Sequence, residues 1–184
     1  DIPHYDFNNI RLSPNETKQF FRENNWTTVI GFQTRNPMHR SHFELTKYAL
    51  RKSNQEDAKL LLNPVVGITQ ECDIDYHTRV RCYKHLLKYY PDNIAKLSLL
   101  PLSMRMAGPR EAVWHALIRK NYGCTHFVVG RDHAGPSYNR KDGKKFFGPY
   151  DAQDLLQKFS DEIGIKVILS KWIAYAVPKN DSSL

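Results

Sequence analysis

The chain has 184 residues, 41% hydrophobic and 25% charged, and its 27 Lys and Arg against 19 Asp and Glu give a net charge of +8. That length and balance suit one packed domain and exclude wholesale disorder. No apolar run approaches the roughly 18 residues that a membrane span needs, and the N-terminus has no basic and apolar leader, so no membrane association is expected.

Cys72, Cys82 and Cys124 form no C-x-x-C pair, which suits reduced thiols in the cytoplasm better than a disulfide frame or a zinc site. The positive charge has three readings: a nucleic-acid face, a merely soluble surface, or a site for polyanionic small molecules. The distribution favours the third. Arginines stand beside Gly, Pro, Asn or His at expected strand ends, with no dense basic tract, zinc-finger spacing, basic zipper or RNP-like aromatic motif.

In chain order, Ser13-Pro14-Asn15-Glu16 reads as a capping box with proline at the first helical position, and "TKQFFREN" continues the helix. Trp26 to Phe32 reads as a buried strand, and a helix is expected from about His39 to Lys52. Residues 59–67 form a second expected strand, 75–90 a helix and 94–101 a third strand. Pro109 opens a helix that Gly123 can stop, 125–130 is a strand, 151–163 a helix closed by Gly164, and 165–170 a fifth strand. This alternation predicts an α/β domain with a five-stranded parallel sheet and helices on both faces. Residues 1–12 are expected to be a junction, 13–177 the domain, and 178–184 a tail.

The unusual polar clusters all follow strands: "QTRNPMHRSH" the first, "GITQECDIDYHTR" the second, "MRMAGPRE" the third, "GRDHAGP" the fourth and "KWIAY" the fifth. Ligands of open α/β sheets bind at the carboxyl ends of the strands, so the five placements point to one cleft.

His39 and His42, three apart at a helix start, fall on one side near free backbone N–H groups, where the helix dipole favours phosphate. A satisfied or exposed side chain is the ordinary role of a lone histidine, and zinc would want a third ligand and i,i+4 spacing. Beside Arg35 and Asn36 the phosphate reading is preferred. Arg35 has a fork suited to tetrahedral oxyanions, with Gln33 and Asn36 as further donors, although a carboxylate such as Asp73 or Asp75 could take it instead. "GRDHAGP" supplies Gly130 for close backbone approach, Arg131 as a second fork, His133 as a polarisable donor and Asp132 to orient one of them. Arg105 is a candidate for the cleft, Arg110 and Glu111 for a structural pair, and Asp73 and Asp75 for helix caps. Trp114, Tyr122, Phe127 and Tyr175 are expected in the core.

Together "QTRNPMH", the His39/His42 pair, "MRMAGPREAVWHALIRKNYG", "GRDHAGP" and "GPYDAQ" resemble the catalytic domain of the ATP sulfurylase (sulfate adenylyltransferase) family over nearly the whole chain. The resemblance implies a Rossmann-like nucleotidyltransferase domain that transfers AMP from MgATP to sulfate, giving adenosine 5′-phosphosulfate and pyrophosphate. It implies Thr34, Arg35, Asn36, His39, His42 and Arg131 as the catalytic set, with Gln33 to Asn36 meeting nucleotide and sulfate and sulfate held chiefly by Gln33 and Arg35. His39 and His42 would hold the ATP phosphates and stabilise the departing pyrophosphate. Gly130, Arg131, Asp132 and His133 would line the nucleotide, Ala134 would offer a backbone N–H to sulfate, and Ile173 would touch adenine, with Trp172 where a smaller side chain is expected. Magnesium would enter as MgATP, with no resident metal. ATP and sulfate would be the partners, without nucleic acid or membrane, in a cytoplasmic homo-oligomer. Members usually carry a PUA-like domain before this region and a small segment after it; both lie outside these 184 residues, and "DIPHYDF" is expected to be the junction.

Sulfate is already a dianion at neutral pH, so it needs no base. The expected mechanism is charge neutralisation and positioning for in-line attack on the α-phosphorus, without a covalent intermediate. A related nucleotidyltransferase with another acceptor, or a silent nucleotide-binding domain, is the alternative.

Overall fold

A computed structural model describes residues 6–170. The first helix, α1 (Pro14–Glu23), begins at a two-way cap: Ser13 Oγ accepts from Glu16 N at 3.3 Å, and Glu16 Oε2 accepts from Ser13 N at 2.7 Å. The rest of the order is β1 (Val29–Phe32), α2 (Arg40–Lys52), β2 (Lys59–Leu62), α3 (Tyr76–Leu87), β3 (Ala95–Leu97), α4 (Pro109–Asn121), β4 (His126–Val129), α5 (Asp151–Ile163) and β5 (Lys166–Leu169). The strands are shorter than their apolar runs. In the second, Pro64 offers no N–H and regular pairing stops at Leu62, although Val65 still bridges Leu100.

All pairings are parallel and the strand order is β3-β2-β1-β4-β5. The chain therefore winds outward from β1 to β3, then returns to set β4 on the other side of β1. Both faces are covered. Alternate strand residues Leu61, Phe127 and Val129 join Phe21, Ala116 and Leu156 of α1, α4 and α5. Ile30, Phe32, Leu60, Leu62 and Val128 join Ala49, Val80 and Tyr83 of α2 and α3. The central strands are buried on both faces, which explains their uninterrupted apolar runs.

Residues 6–12, read as a junction, are docked on the domain: Leu99 N donates to Ile10 O at 2.7 Å, and Asp6 Oδ2 accepts from Tyr76 Oη at 2.5 Å. Tyr122 and Phe127 are in the core as expected, but Trp114 is 39% exposed, because it lies on the outer side of α4. Tyr175 and the tail lie outside the described residues. Among the described residues, no helix is long and apolar enough to cross a membrane.

Candidate active site

The reversal of winding between β1 and β4 leaves a crevice at their carboxyl ends, the usual ligand position in such sheets. It opens into a cleft of about 580 Å³ lined by Phe32, Gln33, Thr34, Arg35, Asn36, Ser41, His42, Leu45, Met104, Val128, Gly130, Arg131, Asp132, His133, Ala134, Gly135 and Ser170.

The first wall is the turn after β1. Thr34 Oγ1 accepts from Asn36 N at 3.1 Å, and Tyr83 Oη donates to Asn36 O at 2.8 Å. Buried Arg79 donates through Nη1 to Arg35 O at 2.7 Å and Val65 O at 3.1 Å. Arg79 thus holds the backbone of the turn, leaving its side chains to face the cleft. Arg35 extends to an ion pair with Asp73, and its Nη2 lies 3.5 Å from Ser137 Oγ. Burial opposes ionisation of Asp73, but Arg35 and the Gln70 N–H outweigh it and hold its carboxyl below the usual range.

His42 lies in the first turn of α2, and its Nδ1 accepts from His39 N at 3.4 Å. Burial, reinforced by neighbouring His39, pushes its pKa down to about 4. At neutral pH His42 is therefore uncharged, with its proton on Nε2. His39 is exposed at the rim, its ring centroid 4.2 Å from that of His42 and its Nδ1 2.9 Å from Ser41 Oγ. Among the described residues, no group of three His, Cys, Asp or Glu gathers around a metal position.

The second wall follows β4. Asp132 and Ala134 both have positive φ, 53° and 54°, which folds this segment tightly over the strand ends. Asp132 lies between two cations: Oδ2 is 3.0 Å from Arg131 Nε, and Oδ1 is 3.7 Å from Lys145 Nζ. At Gly130 an added Cβ would meet only Ser170 Oγ, at 3.8 Å. Burial, with His115 and Arg119 nearby, lowers the His133 pKa to about 3.

Ten of the sequence candidates therefore share one cleft: Gln33, Thr34, Arg35, Asn36, His42, Gly130, Arg131, Asp132, His133 and Ala134. His39 stands beside it, and Ile173 and Trp172 lie outside the described residues. Arg105 is exposed and lines no part of the cleft; its neighbour Met104 does. The expected Arg110–Glu111 pair is replaced by a cap: Glu111 is buried and accepts from Arg105 N and Ala107 N at 2.8 Å each. Asp75 caps α3 through Thr78 N at 2.9 Å, whereas Asp73 serves Arg35. Met104, Ser41, Leu45 and Ser170 also line the cleft, and only tertiary placement brings such ordinary residues to a site.

The family model for ATP-sulfurylase matches residues 8–183. The chain belongs to the ATP-sulfurylase family. It is 56% identical over 177 residues to the sulfate adenylyltransferase of Eremothecium gossypii, covering 96% of this chain and 35% of that protein. It is 54% identical to those of Schizosaccharomyces pombe and Saccharomyces cerevisiae, covering 98% and 97% of this chain and 36% and 34% of theirs. The chain thus spans about a third of the length of these relatives. Among solved structures, the hexameric APS kinase from Thiobacillus denitrificans superposes with a TM-score of 0.71 at 27% identity, over 91% of this chain and 29% of that one.

Proposed function

We propose that this chain is the catalytic domain of a sulfate adenylyltransferase, transferring AMP from MgATP to sulfate to give adenosine 5′-phosphosulfate and pyrophosphate. The observation that carries the reading is the cleft itself: two arginine forks, Arg35 and Arg131, with the His42 imidazole, whose proton is on Nε2, at the switch point between β1 and β4. This is equipment for gathering anions. The family match and its sulfate adenylyltransferase relatives support the choice of reaction.

A sulfate oxygen attacks the α-phosphorus as the bond to the bridging β-phosphate oxygen breaks and pyrophosphate leaves. No proton is transferred. Arg35, Gln33 and the Ala134 N–H hold sulfate, while Thr34 and Asn36 fix the turn that presents them. His42 donates from Nε2 to the phosphates, with His39 at the rim beside the departing pyrophosphate, and Arg131 neutralises charge spreading over the transferred group. Magnesium would enter with the triphosphate as part of the substrate and would supply further charge neutralisation there. Gly130, Asp132 and His133 form the nucleoside side. Two reactants held at bonding distance supply the other large part of the acceleration.

The free thiols Cys72, Cys82 and Cys124 suit a cytoplasmic enzyme, and a homo-oligomeric assembly belongs to the same reading. Molybdate offers a direct test. It is a tetrahedral dianion whose mixed anhydride with AMP hydrolyses, so molybdate with MgATP should release AMP and pyrophosphate continuously. A protein that ignores molybdate and sulfate alike while cleaving ATP onto another acceptor would overturn the reading.

A further inference from the structure

Behind the cleft, three polar side chains run in a line from α4 to the second wall. Glu111 and His115 lie one turn apart on α4 and are buried, with 2% and 0% of their surface exposed. Glu111 Oε1 is 3.3 Å from His115 Nε2, a contact less well aligned than a full hydrogen bond. On the other side of the ring, His115 Nδ1 is 3.1 Å from His133 Nε2. His133 lines the cleft.

We propose that Glu111 and His115 are positioning residues that fix the tautomer of His133, so that His133 presents a bare Nδ1 to the cleft and accepts a hydrogen bond from the nucleoside. The donor and acceptor logic is sequential. Glu111 is held ionised by the N–H groups of Arg105 and Ala107, and an ionised carboxylate only accepts. A lone pair on His115 Nε2 would face that carboxylate repulsively, so Nε2 carries the proton. The His115 ring is wholly buried near Arg119, and burial lowers its pKa despite Glu111, so it is neutral and Nδ1 is bare. His133 Nε2 must then be the donor between the two rings. Because His133 is neutral as well, its Nδ1 is left as an acceptor.

This reverses the sequence expectation of a donor at position 133, and it sorts the cleft chemically. Sulfate and the ionised triphosphate are acceptors only, so a bare ring nitrogen repels them. The ligand groups that suit it are neutral donors: a ribose hydroxyl or the adenine 6-amino group. The His133 ring therefore faces the nucleoside and leaves the oxyanions to Arg35, Arg131, His42 and the Ala134 N–H. The inference rests on the cleft being a nucleotide site, as proposed above.

Two measurements separate the parts. Nitrogen NMR of the histidine-labelled chain at neutral pH should show His115 and His133 both neutral, protonated at Nε2 and bare at Nδ1. A proton on Nδ1 of either ring overturns the proposal, and this readout needs neither activity nor a variant. Nucleotide binding to the chain should then be compared for ATP, 2′-deoxy-ATP, 3′-deoxy-ATP and inosine triphosphate. One of the three analogues should bind about five- to tenfold more weakly, the worth of one neutral hydrogen bond, and which one does so identifies the donor. His133→Leu should erase that difference. His133→Asn, whose amide oxygen can take the place of Nδ1, should retain most of it. Equal binding of all four nucleotides to the unaltered chain, or an unchanged difference in His133→Leu, overturns the nucleoside contact. If no nucleotide binds at all, the functional reading fails instead, while the tautomer measurement still stands or falls independently.

Discussion

Arg35 and Asp73 form an ion pair that joins the turn after β1 to the loop that precedes α3. Asp73 aims the guanidinium but also competes with any incoming oxyanion for it. Asp73→Asn should therefore lower the KM for sulfate by about threefold, since a solvent-screened ion pair at the edge of a cleft is worth on the order of 1 kcal/mol, and should lower kcat because the fork is no longer aimed. Steady-state kinetics reads both; a raised KM with unchanged kcat would make Asp73 a mere loop anchor.

Arg35→Ala and Arg131→Ala should each reduce turnover by about 100-fold or more, the scale for losing one donor to developing charge, with the fold retained. Neither side chain belongs to the apolar clusters. Circular dichroism and pyrophosphate release measured on the same samples check the pair of statements. Near-normal turnover in either folded variant would remove that arginine from the mechanism.

The two histidines of "MHRSH" should behave unequally. His42 lines the cleft and His39 stands at its rim, so His42→Ala should reduce turnover more than His39→Ala. Elemental analysis should find no stoichiometric zinc in the unaltered protein or in either variant. One zinc per chain that disappears with either substitution would make them metal ligands.

The His42 pKa has consequences for both stability and binding. It lies at about 4 in the fold against the ordinary 6.5, so the unfolded chain takes up a proton first as pH falls. This contribution to stability is fully present above pH 6.5 and is lost as pH falls towards 4. Polyphosphate near the ring favours its charged form and raises its pKa, so nucleotide binding should take up protons at pH 5 to 6. Calorimetry in buffers of different ionisation enthalpy reads that uptake. His42→Gln should lose the part not due to ATP itself; identical uptake in the variant would place the phosphates elsewhere.

Gly31 in β1 lies directly under the Arg119 side chain of α4. A Cβ there would lie 2.9 Å from Arg119 Cγ and 3.1 Å from Cys124 Sγ. Gly31→Ala should cost about 1–3 kcal/mol of stability, the usual scale for overpacking, as measured by urea unfolding. No loss would show that α4 can shift to accommodate a methyl group.

Much of this was legible in the sequence because local chemistry and fold agree. The capping box at Ser13, the glycine that closes α5 and the apolar strand runs each depend on neighbours in the chain, and the clusters after β1 and β4 mark the site because parallel sheets bind ligands there. What could not be read depends on contacts across long separations. Arg35 is 38 positions from Asp73, and only the placement of the loops decides that it meets an acid. Glu111 looked like a partner for adjacent Arg110, yet the turn preceding α4 directs its carboxylate to two backbone N–H groups. The charge state of His133 depends on burial against His115 and Arg119, which spacing alone does not reveal.

The central claim is tested most directly by running the reaction towards ATP. Purified protein supplied with adenosine 5′-phosphosulfate, magnesium and pyrophosphate should form ATP, detected by luminescence, and Arg35→Ala should abolish the signal. ATP formation that depends on both substrates and on Arg35 is the result this account predicts. No ATP from folded protein, or a rate unchanged by Arg35→Ala, would contradict it.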